Sequence, residues 1–330
     1  MNHFGRLFQV NIFGESHGEC VGVLIDGVIP GIKLDESDFN DDLARRKSGA
    51  LGTTPRIEED KVFIESGVFN GYTTGAPILL KFLNNNTKSK DYSNLVNHPR
   101  PSHADYVANI KYDGFNDYRG GGAFSARLTL GIVSAGVIAK KIIDQVKFDT
   151  KIINLGGETN PNNFENVLTD VVKSGDSIGG IVNIKIDNVP QGLGEPYFDS
   201  IESTLSHLLF SVGGVKGVEF GVGFDGVKFR GSQFNDLIID KDGKTKTNNN
   251  GGINGGITNG NQIDIKVFVK PTPSISKDQE TYNFKDDKVE TLSIKGRHDA
   301  AIILRAQVVL EAMCAIDLAD SYLVAKAFKK

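Results

Sequence analysis

The sequence predicts an α+β fold in which long buried helices are sandwiched between antiparallel β-sheets, with internal pseudo-duplication. Two long segments, Ser125 to Val146 and Asp299 to Lys326, are apolar on nearly every side, so each must be covered from more than one direction. Strand-like runs accompany such a helix in both halves of the chain. No Gly-x-Gly-x-x-Gly follows a strand with an acidic residue about 20 positions on, so a dinucleotide-binding doubly wound sheet is not supported.

Taken in order, Phe8 to Phe13 alternates crudely and meets a Gly-rich turn, a strand that delivers Ser16 and His17 to its end. Cys20 to Val28 is a second short apolar segment, closed by Pro30-Gly31. Asp35 to Lys47 reads as a helix, with Asp35 as N-cap and basic residues in the last turn. Lys61 to Val68 and Ala76 to Leu83 read as strands around a hairpin-like loop, Gly71 to Gly75. Asn84 to Leu95 is polar and reads as a mobile loop, and Ala104 to Lys111 as a short helix.

The long helix predicted over Ser125 to Val146 carries Leu128, Ile132, Val133, Val137, Ile138 and Ile142 on its apolar face. Its Gly131, Ala135, Gly136 and Ala139 permit close approach by a neighbour. The pattern continues with a strand at Ile178 to Val189, a helix at Ser200 to Leu209, and strand-like runs at Phe220 to Phe229 and Gln262 to Val269. Thr245 to Gly260, dense in Asn and Gly, is either a flexible loop or a backbone-lined ligand cradle. The C-terminal helix, Asp299 to Lys326, presents Ile303, Val308, Leu310, Met313, Ile316 and Leu323.

With 330 residues the chain is long enough for one large domain or two moderate ones. A formal net charge of −4 argues against general nucleic-acid binding, which needs a dominant basic surface. Only Cys20 and Cys314 occur, with no CxxC pattern, so neither a disulfide framework nor a cysteine zinc site is expected. The N-terminus lacks the features of a signal peptide, and no run of about 18 apolar residues appears. The expectation is a cytoplasmic protein with no membrane span.

Against that acidic background, six short segments concentrate Gly, Arg, His and Ser. They are Gly14 to Gly18, Arg45 to Gly49, Arg100 to Asp105, Arg119 to Arg127, Lys270 to Ser274 and Gly296 to Asp299. Each offers free backbone N–H groups, hydroxyls, guanidinium or an acid/base, which is what a small anionic ligand requires. The glycines at 120 to 122 opening a helix make an anion seat, flanked by Arg119 and Arg127. Arg45, Arg46, Lys47 and Arg56 sit in a turn-rich stretch that can close over a polyanion. His17 and His103 each follow a serine in a Gly- or Pro-rich loop, and an imidazole there can serve as general acid for a phosphate leaving group. No helical His pair or cysteine supports zinc, and Gly14 to Gly18 lacks the spacing of a serine-hydrolase elbow.

These segments, in this order from Phe8 to the C-terminal helix, resemble the chorismate synthase family. The resemblance implies a single catalytic domain over 1–330. It implies a carbon–oxygen lyase that converts 5-enolpyruvylshikimate 3-phosphate to chorismate by anti-1,4-elimination of phosphate, in aromatic amino acid biosynthesis. Reduced FMN is required without net redox change, and the assembly is a homotetramer. The two remaining readings are a bifunctional enzyme that also reduces FMN with NADPH, and a non-catalytic flavin- or phosphate-binding carrier. Absence of a nucleotide-binding fingerprint favours the monofunctional form, fed by an external flavin reductase.

Carried over by resemblance, His17 is the acid that protonates the leaving phosphate, and His103 protonates or orients reduced flavin. Asp299 is the carboxylate near flavin N5. Ser16, Arg45, Arg46, Arg100, Arg119 and Arg127 grip the substrate. The flavin contacts are Ala123, Phe124, Ser125, Gly213, Gly214, Gly255, Lys270, Pro271, Thr272, Pro273, Ser274 and Arg297, with no metal. Three departures each remove a polar contact common in the family: Ala123-Phe124 for a basic residue, Ala50-Leu51-Gly52 for a further arginine, and Pro273 for a hydroxyl.

Overall fold

The computed structural model describes residues 2–54, 58–85, 95–294 and 298–328. The first sheet is built from β1 (His3–Phe4), β2 (Gln9–Gly14), β3 (Cys20–Asp26), β4 (Phe63–Ile64) and β7 (Ile78–Leu83). Its order is β1-β2-β3-β7-β4, antiparallel throughout, with Val23 opposite Leu80 and Ile12 opposite Val23. Between β3 and β4 lies α1 (Asn40–Arg46), preceded by a 3₁₀ turn. Asp35 caps that turn, accepting the Ser37 N–H at 2.8 Å, while Asp38 accepts the Asp35 N–H at 2.9 Å. The predicted strand Lys61 to Val68 is a correction: it is split into β4 and β5 (Val68–Phe69), and β5 pairs with β6 (Tyr72–Thr73), which falls within the predicted loop.

After α2 (Asp105–Lys111) comes α3 (Thr129–Ile142). The second sheet then forms from β8 (Lys147–Leu155), β9 (Gly180–Asp187), β10 (Val215–Phe220) and β13 (Ile263–Val269), in the order β10-β13-β9-β8, again antiparallel. Its connections carry α4 (Phe164–Ser174), α5 (Ile201–Ser211), α6 (Gly231–Phe234) and the small hairpin β11 (Ile253–Asn254) with β12 (Ile257–Thr258). A further hairpin, β14 (Gln279–Asn283) with β15 (Lys288–Leu292), precedes the final helix α7 (Ile303–Phe328).

Helix α3 packs on β2, β3 and β7, helix α7 packs on β8 and β9, and the two helices pack on each other. The helices meet closely because Gly136 has no side chain: a Cβ there would stand 2.7 Å from Ala312 Cα. Phe8, Phe82, Leu130, Ile138 and Ile184 are fully buried between these layers. Each such side chain contributes about 1.5–3 kcal/mol by leaving water. The helices are apolar nearly all round because sheet covers one side and helix another.

Several predicted boundaries move. The long helix begins at Thr129 rather than Ser125 and ends at Ile142, because Gly120, Gly121 and Gly122 all take positive φ and the chain to Leu128 winds as 3₁₀ turns. Ser125 Oγ accepts the Arg127 N–H at 3.3 Å, capping the second of these turns. The predicted strand Phe220 to Phe229 is a correction: the strand is Val215–Phe220, and Gly223–Lys228 is a 3₁₀ turn. The C-terminal helix starts four residues later than Asp299. Residues 86–94 of the polar loop, Arg56 and Arg297 lie outside the described residues.

Candidate active site

Beneath the ends of α3 and α7 lies a cavity of about 630 Å³, within the size range of cofactor and substrate pockets. Apolar side chains including Ile12, Leu128, Val309 and Met313 form part of its lining. Much of its polar wall comes from segments singled out in the sequence: Arg46, Ser102 with His103, Gly120 with Gly121, Ala123 through Ser125, Gly213 with Gly214, and Lys270 through Ser274.

The triple glycine organises one wall. Ser16 donates its backbone N–H to Gly122 O at 3.2 Å, tying the loop after β2 to this segment. A Cβ on Gly120 would lie 2.6 Å from His17 Cδ2 and 2.7 Å from both His17 Nε2 and Ser16 Oγ. A Cβ on Gly121 would lie 3.9 Å from His103 Cε1. Ser16 and His17 are themselves buried. Successive glycines thus lie beside the two imidazoles, and His103 lines the cavity, whereas Ser16, His17, Arg100 and Arg127 stand behind its lining.

His103 sits in a fixed frame. Its Nδ1 lies 2.7 Å from Asp105 Oδ1 and 3.1 Å from Arg100 Nη2. Arg100 grips Asp105 with Nε at 2.7 Å and Nη2 at 2.8 Å, and its Nη1 donates to Ser274 Oγ at 2.9 Å. Burial works against the Asp105 charge, but hydrogen bonds and charge from Arg100 and His103 outweigh it and hold the carboxyl well below the usual range. Lys270 Nζ donates to Ser102 O at 2.8 Å, stitching the same loop to β13's exit. Burial and the charge of Lys216 lower the Lys270 pKa.

Arg46 is 2 % exposed and held by Thr129 Oγ1 at 2.8 Å, Ala126 O at 2.9 Å and Asp60 Oδ2 at 3.3 Å. Burial foremost, then the charges of Arg305 and Arg127, press its pKa down to about 9, with Asp60 and Glu58 opposing. It remains a cation at neutral pH. Arg127 shares Asp60 and also binds Glu58 at 2.8 Å and Asn84 Oδ1 at 2.9 Å.

Other expected positions stand apart from the cavity lining. Arg45 turns toward α7, where Nη1 and Nη2 bind Glu311 at 2.8 and 2.6 Å. Arg119 is half-exposed and paired with Asp117 at 2.7 Å. Asp299 accepts the Thr54 N–H at 2.9 Å and pairs with Arg305 at 3.0 Å. Gly255 sits at the tip of the β11–β12 hairpin, outside the lining. There the Asn- and Gly-rich stretch is ordered around Asp236, which accepts Thr247 Oγ1 at 2.7 Å and the N–H groups of Asn249 and Asn250 at 2.8 and 2.9 Å.

The motif reading passed over Lys216, Arg305 and the framing role of Asp105. Lys216 stands two residues after Gly214 and Asp105 lies inside a quoted segment, so both had a local signal. Arg305 had none, lying on an apolar helix.

The donor set fits an anionic, partly flat cofactor. A Cβ on Gly213 would meet nothing within 4 Å, leaving open backbone at the cavity wall. Thr272 Oγ1, in the lining, is buried with no hydrogen-bond partner among the described residues. Lys216 and Lys270 have no carboxylate at ion-pair distance among those residues. Among them too, no cluster of His, Cys, Asp or Glu could hold a metal ion, and no helix is long and apolar enough to cross a membrane.

The family model for chorismate synthase matches residues 8–323. A chorismate synthase of Chitinophaga pinensis is 55% identical over 325 residues, covering 98% of this chain and 97% of that protein. One of Pyrococcus abyssi is 43% identical over 350 residues, covering 98% of both. A chorismate synthase crystal structure matches with a TM-score of 0.75 at 27% identity, covering 98% of this chain and 93% of the other. The chain belongs to the chorismate synthase family.

Proposed function

We propose that this lyase eliminates phosphate from 5-enolpyruvylshikimate 3-phosphate in the anti-1,4 sense to give chorismate, using reduced FMN without net redox change. The observation that carries the reading is the placing of His17 beside Gly120 and of His103 near Gly121, both glycines lining a cavity supplied with arginine and lysine. In the elimination the C–O bond to phosphate and a C–H bond both break, so one proton must reach the leaving oxygen and another must be taken up. His17 Nε2 delivers the first, and Arg46 offsets phosphate or carboxylate charge from its buried position. Reduced FMN, when bound, supplies electron density to the ring that is losing phosphate. Ala123 to Ser125, Gly213, Gly214 and Lys270 to Ser274 would hold it, with His103 presented to it in the frame of Asp105 and Arg100. Asp299, held by Arg305 and the Thr54 N–H, is the carboxylate that would stand near flavin N5 and assist its deprotonation.

The decisive experiment is anaerobic phosphate release from this substrate with photoreduced FMN. Saturable FMN binding with no phosphate release would make the protein a carrier. Efficient turnover driven by NADPH with purified protein alone would make it bifunctional. The proposed form is monofunctional, supplied by an external NADPH-dependent reductase, and cytoplasmic.

We further read residues 1–330 as one catalytic domain, a pseudo-duplicated sandwich of two sheet-plus-helix units. Its proposed assembly is a homotetramer. Exposed apolar side chains such as Phe198, Phe224, Val227 and Ile238 support burial against other copies. Light scattering checks the assembly.

A further inference from the structure

Arg305, the third residue of α7, lines the cavity. Its Nε donates to the backbone carbonyl of Arg46 at 2.9 Å, and its Nη1 reaches Asp299 Oδ2 at 3.0 Å and Oδ1 at 3.4 Å. Asp299 Oδ1 accepts the Thr54 N–H at 2.9 Å as well. Ala301 donates its own N–H to Gly52 O at 2.9 Å. The stretch after α1 is therefore stapled to the approach to α7 at three points, and Arg305 supplies charge to the staple. Little slack remains, since a Cβ on Gly52 would already stand 2.7 Å from Leu168 Cδ2.

Two consequences follow from one guanidinium pointing two ways. Arg46 closes α1, so its carbonyl belongs to the helix end where acceptors lack intrahelical donors and negative potential gathers. Fixing that carbonyl fixes the backbone from which the buried Arg46 guanidinium reaches the cavity. The other arm fixes the Asp299 carboxylate. Arg305 and Arg46 repel each other as like charges, and Asp299 pairs with Arg305 at 3.0 Å. A lysine carries the charge but lacks the planar fork that spans both partners.

We infer that Arg305 is a positioning residue for the elimination, setting the Asp299 carboxylate and the Arg46 backbone in one register. The inference rests on the elimination reading above. It requires that Arg305 act through Asp299 rather than on substrate alone.

The test is anaerobic steady-state phosphate release, with photoreduced FMN and the enolpyruvyl substrate, for wild type, Arg305→Lys, Arg305→Ala, Asp299→Asn and the Arg305→Ala/Asp299→Asn double variant, with a thermal melt of each. Arg305→Ala should lower kcat by about 10–100-fold, the scale of losses from small misplacements, and change KM far less. Arg305→Lys should recover only part of that loss. In the Asp299→Asn background the same Arg305→Ala change should cost little more, because the two residues form one unit. Should Arg305→Ala fail to fold, the cycle is run with Arg305→Lys. Wild-type kcat in the Arg305 variant, or losses that multiply in the double variant, overturns the inference. A wild-type protein that releases no phosphate at all sinks the elimination reading, and the inference with it.

Discussion

His17 rests directly on Gly120: a methyl group on that glycine would stand 2.6 Å from the imidazole Cδ2, closer than real carbon contacts come. Gly120 also takes φ of 60°, a region that side chains other than glycine's tolerate poorly. Gly120→Ala should therefore push the imidazole off its seat and slow phosphate release by about 100-fold, in line with small misplacements at reacting centres. Strain from the backbone adds a loss of about 1 kcal/mol in folding stability. An alanine variant with undiminished kcat would show that this contact positions nothing.

The proposed function gives both histidines proton-handling roles. His17→Ala and His103→Ala should each slow phosphate release by about 10²–10⁴-fold, the usual range for losing a general acid or base. Titration of FMN against each variant should give near wild-type affinity. Full activity in either one removes the role assigned to that residue.

Two neighbouring arginines should part company. Arg46 reaches the cavity, whereas Arg45 clamps Glu311 and Asp42 alongside Lys140. Arg45→Ala should cost about 1 kcal/mol of stability, because Arg45 is 41% exposed and Lys140 still pairs with Glu311, with kcat nearly intact. Arg46→Ala should raise KM for the anionic substrate. Burial opposes the Glu311 charge, yet Arg45 and Lys140 hold its pKa down to about 2. A depressed carboxylate stabilises the fold above its unfolded value, 4.5, and that contribution disappears as pH falls toward 2. Urea unfolding of Glu311→Gln should accordingly lack this part of the acid dependence.

Asp317 shows the opposite sign. It is 1 % exposed on α7, and burial, joined by the nearby Asp320 charge, raises its pKa to about 8 against a hydrogen bond from Thr204 at 3.0 Å. The folded state holds this proton while the unfolded chain, at 3.8, has released it. Stability from this group is full below that lower value and declines until pH passes about 8. Asp317→Asn should flatten the slope and be more stable than wild type at pH 8. Parallel stability–pH curves for the two proteins would count against it.

Local patterns revealed much of this molecule and missed identifiable parts. The strand ending at Gly14, the cap at Asp35 and the helix after Ala104 follow from near-neighbour chemistry. Strand β8 was passed over because Lys147, Asp149 and Lys151 on its outer face interrupt the apolar signal. Helix α4 likewise has no counterpart in the predicted elements, although it carries an apolar stripe. Of the site, His103, Gly120, Gly121, Ala123 to Ser125 and Lys270 to Ser274 are legible in the sequence, and all line the cavity, whereas His17 stands behind it. Arg45 and Arg119 carry the same residue type in equally suggestive motifs, yet each is paired with carboxylates away from it.

Composition and residue order by themselves determined the α+β type of fold and the family. They did so because helix and strand periodicity, glycine's backbone freedom and the chemistry of Arg and His are properties of short stretches. Which arginine faces the cavity, which glycine supports which imidazole, and that Arg305 joins Asp299 to Arg46 were decided only in three dimensions. Those choices depend on contacts between residues hundreds of positions apart, set by how α3 and α7 pack between two sheets, and no local pattern encodes that geometry.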